Sequence, residues 1–113
     1  MAFVRDRVVL LKYRPDLAAA VPEYDRYALE RVMVREIFAA DPDAVEKSGA
    51  VVYFLDRVSV CRGMGGEVTS LPQLSKGDMV LLHEGTDAEA VMRVSEAGYF
   101  NGETLAHVRI RLK

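Results

Sequence analysis

Turn-forming residues cut this chain into short pieces. Arg14-Pro15-Asp16, Pro22, Asp41-Pro42-Asp43, Gly63 to Gly66, Pro72, Gly77-Asp78, Gly85-Thr86-Asp87, Gly98 and Asn101-Gly102 leave few stretches long enough for a sizeable helix. Proline removes a backbone donor and restricts the residue before it, so each Pro also ends an element. The intervening segments are rich in Val, Leu, Ile and Tyr, residues suited to a pleated surface.

Arg5 to Tyr13 reads as a first strand. Ala50 to Val60 is the clearest one, apolar on both faces in its first half, as a strand inside a core would be. Asp78 to His83 and Ala90 to Ser95 follow as strands. In Leu105 to Lys113, Val108, Ile110 and Leu112 face one way and His107, Arg109, Arg111 and Lys113 the other. Leu17 to Val21 fits one helical turn or a loop. Glu96 to Glu103 is turn-rich, and Cys61 to Gly77 is the longest stretch without periodicity. Tyr24 to Ala40 stays open on its residues alone. Leu29, Val32, Met33, Ile37 and Ala40 recur at helical spacing, while Val32 and Val34 alternate as on a strand. The expectation is a mostly β chain: one domain over residues 1–113, a small antiparallel barrel or sandwich with short helical turns and one long loop.

Size and charge narrow the function classes. Half of the 113 residues are hydrophobic, enough for a real core, yet a domain this small gains from oligomerisation. The net charge of −2 is built from scattered residues, which disfavours a dedicated nucleic-acid binder and electrostatic attachment to lipid. No apolar run approaches the roughly 20 residues of a membrane span, and the single cysteine, Cys61, fits a reducing cytoplasm.

The chemistry-bearing residues do not form a recognisable catalytic, cofactor or metal set. His83 and His107 lack neighbours at metal-ligand spacing. Asp41, Asp43 and Glu46 lack the alternation of a calcium loop. Cys61 lies beside Arg62, which could lower its pKa, but no base can be named for it, so a buried strand-end thiol is expected. Arg62-Gly63-Met64-Gly65-Gly66-Glu67 lacks the Gly-Lys-Ser/Thr ending of a phosphate loop and reads as a flexible tip. Tyr53, Phe54, Tyr99 and Phe100 are adjacent pairs that alternate faces, which argues against one stacking platform. For His107, Arg109 and Arg111 the expectation is the wet face of an edge strand, where cations discourage edge-to-edge pairing; contact with DNA phosphates or an acidic partner is the alternative.

The order of features carries a resemblance. Arg7-Val8-Val9-Leu10-Leu11-Lys12-Tyr13 is followed by Tyr24 to Leu29, Val32-Met33-Val34, and Val52-Tyr53-Phe54-Leu55-Asp56 with Ser59. Then come Lys76-Gly77-Asp78-Met79-Val80, Ala90 to Val94, Tyr99, and Leu105-Ala106-His107-Val108-Arg109-Ile110-Arg111-Leu112. This series resembles the minor capsid and head-completion (stopper-like) proteins of the phage head–tail connector. The resemblance implies a strand with a bulge over residues 24–40 and a β-barrel subunit of a homo-oligomeric ring in the virion neck. Its implied partners are copies of itself, a portal or adaptor protein and a tail-side neck protein, with DNA passing through the channel without sequence-specific binding. An adaptor, a tail terminator or a non-viral β-barrel binding module are the alternatives. The departures lie at Leu17 to Val21 and at the Gly63 to Gly77 loop, whose Arg62 to Lys76 stretch becomes the candidate lumen-facing or subunit-contact element.

Overall fold

The computed structural model describes residues 6–15, 23–37, 49–101 and 106–113. Among these residues there are eight strands and no helix: β1 (Asp6–Tyr13), β2 (Tyr24–Ile37), β3 (Gly49–Leu55), β4 (Val60–Arg62), β5 (Val68–Thr69), β6 (Met79–Leu82), β7 (Ala90–Phe100) and β8 (His107–Leu112). The expected helical turn at Leu17–Val21 and the Asp41, Asp43, Glu46 cluster lie outside the described residues.

Every pairing is antiparallel. Strands β1, β6, β7, β8, β3 and β2 are neighbours in that order, and β1 pairs with β2 to close a six-stranded barrel. The β4–β5 hairpin branches from the edge of β2 beside Ala28–Glu30. Closure depends on two long strands that change partners. On β2, residues Tyr24 to Val32 bond β1 and Met33 to Ile37 bond β3. On β7, Ala90–Arg93 bond β6 and Val94–Phe100 bond β8.

Each switch carries a bulge, the device that bends a strand and strengthens its twist. The β1–β2 register slips by one between Asp6 and Arg7, leaving Arg31 unopposed at φ 55°. The β7–β8 register slips between Val94 and Glu96. Arg31 resolves the ambiguity of its segment. Tyr27 and Leu29 face the core before it, and Val32 and Val34 after it. The extra residue turns a period of two into a single step of three, which imitates a helix in the sequence. Ser59 locks the site: its hydroxyl donates to the Arg31 carbonyl (2.6 Å) and accepts from the Leu55 amide (2.8 Å).

The barrel interior is filled by side chains. Val8 and Leu10 of β1, Leu29 and Val32 of β2, Ala50 and Val52 of β3, Val80 and Leu82 of β6, Val94 of β7, and Ile110 and Leu112 of β8 are all buried. Inward residues therefore alternate along each strand, as closure of a small barrel requires. At about 25 cal/mol per Å² of apolar surface, each of these Val, Leu and Ile side chains contributes about 1.5–3 kcal/mol.

Three boundaries differ from the sequence reading. Ala50 to Val60 is not one strand, because Asp56–Val58 form a turn with Arg57 at φ 65° and the chain resumes as β4. The long loop contains the β4–β5 hairpin, and its second half folds back so that Leu71 and Leu74 pack against the core. Glu96 to Phe100 is strand, since pairing with β8 continues past Gly98.

Candidate functional site

The glycine-rich tip is built around an acid. The Gly63 amide donates to the Glu67 carbonyl (2.8 Å), the Gly66 amide donates to the Gly63 carbonyl (3.0 Å), and Gly66 sits at φ 85°. A Cβ at Gly63 would meet the end of the exposed, flexible Glu67 side chain, which can swing aside, so the glycine there is not dictated by space. Arg62 belongs to β4, where its Nε donates to Glu30 (2.8 Å) and its Nη1 to the Gly66 carbonyl (3.1 Å). Met64 and Val68 are exposed at 74% and 67%, so the hairpin presents two large apolar side chains to solvent. Within the candidate Arg62 to Lys76 stretch, then, Arg62 braces the hairpin, Met64 and Val68 stand in solvent, and Leu71 and Leu74 serve the core.

Cys61 faces inward beside Leu29 and is 1% exposed. Arg62 points the other way, onto Glu30, so it does not activate the thiol. Burial instead pushes the Cys61 pKa up to about 11. The thiol is buried as expected, but in the middle of β4 and not at the end of a long strand.

The turn before β6 centres on Asp78, a fully buried carboxylate. It accepts from the Tyr13 amide (2.9 Å), the Ser75 amide (2.8 Å) and the Lys12 ammonium (3.0 and 3.2 Å). The Asp78 carbonyl also accepts from the Val94 amide (3.0 Å). The carboxylate thereby ties β1 to the returning loop and the carbonyl of the same residue ties in β7, where the sequence showed only a Gly-Asp turn.

A recess of about 350 Å³ lies at one mouth of the barrel, with Val8, Val34 and Leu82 as floor and Asp6, Arg7, Glu36 and His83 around it. His83 Nε2 meets Glu36 at 2.5 Å, and Asp6 accepts from the Val34 amide (2.9 Å). Among the described residues no group of three or more His, Cys, Asp or Glu could hold a metal ion. Nearby, Glu84 bridges Arg7 (3.0 Å) and Arg26 (2.5 Å), and these hydrogen bonds hold its carboxyl below the usual carboxylate range.

The outer face of β3, β8 and β7 gathers the aromatic and basic residues. Tyr53 lies opposite Arg109, and His107 lies opposite both Leu55 and Phe100. The His107 ring stacks on Phe100 (centroids 5.6 Å, 19°) and tilts against Tyr53 (5.6 Å). The Arg109 guanidinium lies 4.1 Å from the Phe100 centroid and 5.7 Å from that of Tyr53. Adjacent aromatics do alternate faces, as expected. The outward member of each pair, Tyr53 and Phe100, nevertheless lies on the same face, each ring against His107 and Arg109 of β8, so aromatic residues far apart in sequence share one cluster. The edge-strand expectation fails: β8 is hydrogen-bonded on both sides, by β3 and by β7. His107 is buried at 8%, while Arg111 is exposed.

No family model matches this chain, and neither the curated proteins nor the solved structures contain a match to it.

Proposed function

We propose that this protein is a structural subunit of a phage head–tail connector, a head-completion or stopper-like ring component of the virion neck below the portal. The observation that carries the reading is a small closed barrel with a β4–β5 hairpin that presents Met64 and Val68 to solvent. A closed barrel supplies a rigid body. β5, whose one strand partner among the described residues is β4, supplies an edge at which a neighbouring copy or a portal or adaptor subunit can add. Ring assembly needs this kind of heterologous contact, one patch of a subunit meeting a different patch of the next.

Electron microscopy of the full chain mixed with portal particles tests the proposal. A ring of added density at the portal is expected, and it is expected to vanish when Gly63 to Ser70 is deleted while the barrel keeps its strand circular dichroism. Decoration that persists in the deletion variant would remove the hairpin from the assignment, and no decoration by the intact chain would remove the neck. The Tyr53, His107, Phe100 and Arg109 cluster favours a second reading, a β-barrel binding module outside any virion.

A further inference from the structure

We infer that the outer face of β3, β8 and β7 binds the phosphodiester backbone of nucleic acid, through Arg35, Arg109 and Arg111, without reading sequence. The first observation is how the charges are distributed. Five cations are in ion pairs: Arg7 and Arg26 with Glu84, Lys12 with Asp78, Arg14 with Asp25, and Arg62 with Glu30; among the described residues Arg31, Arg57, Lys76, Arg93 and Lys113 are in none, so it is the grouping of unpaired arginines on one face that counts. Among the described residues Arg35, Arg109 and Arg111 have no carboxylate within ion-pair distance. Glu96, the register neighbour of Arg111, forms no bridge to it.

The second observation is position. Arg35 and Arg111 both flank Val51 in one cross-strand row, and Arg109 lies two residues along β8 in the next row, opposite Tyr53. Alternate residues of a strand repeat at about 6.7 Å, close to the step between successive phosphates of an extended nucleic-acid strand. Because β8 has a partner on each side, protection of an open edge does not explain its cations.

The third is preorganisation. Arg109 rests on Phe100 and Tyr53, and its Nε is buried without a hydrogen-bond partner among the described residues. A guanidinium held flat on a ring loses little freedom on binding and keeps its terminal N–H groups for a phosphate oxygen. The Phe100 ring carries the Arg109 guanidinium and stacks on His107, so its part is to hold Arg109 in place. The phosphate-like spacing of the cations favours nucleic acid over an acidic protein surface, and backbone contact fits any base order.

This inference does not rest on the neck assignment, since it concerns the isolated subunit. Fluorescence anisotropy of the full chain against labelled oligo-dT and a mixed-sequence duplex tests it across a salt series. Binding to both is expected, with the duplex affinity falling at a log–log slope of about −2.7 for three phosphate contacts. Arg35→Gln and Arg111→Gln, two exposed positions, are each expected to weaken binding about tenfold at low salt and to reduce the slope by about 0.9. Arg57→Gln, on the turn between β3 and β4, is expected to change neither. Absence of salt-dependent binding overturns the proposal, as does binding indifferent to Arg35→Gln and Arg111→Gln. Polyglutamate competing as well as the oligonucleotide also overturns it, in favour of an acidic protein partner.

Discussion

Replacing Asp78 by Ala should cost this barrel more than any other single polar change among the described residues. The carboxylate is fully buried and accepts two backbone N–H groups and the Lys12 ammonium. Removing one partner of a buried pair costs about 3–5 kcal/mol. The Lys12 side chain keeps 22% exposure and regains some water, which moves the pair toward the lower end of that range. Stranding the Tyr13 and Ser75 amides adds about 1 kcal/mol or more each unless water enters. The expected total for Asp78→Ala is about 5 kcal/mol, which at about 4 °C per kcal/mol lowers Tm by about 20 °C. Asp78→Asn keeps an acceptor oxygen but loses the charge, and should cost about 2 kcal/mol. Urea unfolding followed by circular dichroism at fixed pH measures both, and a double-mutant cycle with Lys12→Met isolates the ion pair. A loss below about 1 kcal/mol for Asp78→Ala, or zero coupling in the cycle, would refute the reasoning.

Two further outcomes follow from the strands. Arg31 occupies a left-handed conformation that costs an L side chain about 1 kcal/mol, so Arg31→Gly is expected to be neutral or stabilising by up to that amount, and its deletion to prevent folding by throwing Val32 and Val34 outward. A folded deletion variant in thermal melts would contradict the bulge as the cause of the phase change. Burial raises the Cys61 thiol to about 11, so the contribution is fully present below the unfolded thiol pKa, about 8.5, and is lost as pH rises through about 11. The difference amounts to about 3 kcal/mol. Cys61→Ala should flatten this alkaline limb in urea titrations, and a thiol reagent should modify native Cys61 far more slowly than the unfolded chain; an equally steep limb in the variant would place the titration elsewhere.

What could be read from the residues stopped where one strand's neighbours decide the outcome. β1 and β6 were legible as apolar, Val- and Leu-rich runs bounded by turn residues, and β8 by its alternation. Leu29 and Val32 misled because one inserted residue shifts the phase, and the inserted residue is an arginine rather than the glycine that usually marks a left-handed position. Arg57 hid the β3–β4 turn in the same way. Tyr53 and Phe100 come to the two sides of His107 because β8 lies between β3 and β7, and no local pattern encodes which strand lies between which. Asp78 was visible as a turn residue, but its burial follows from four segments converging on it.

The place of β8 between β3 and β7 has a consequence for biosynthesis. Until residues 107–112 have left the ribosome, β3 and β7 each expose a bare row of amides and carbonyls, and Val52 and Phe54 lack a lid. The nascent chain therefore passes through an adhesive stage that ends in one step when the sixth stave slots in. Crowded polysomes, or any partner able to lend a strand early, would compete for the gap at that moment.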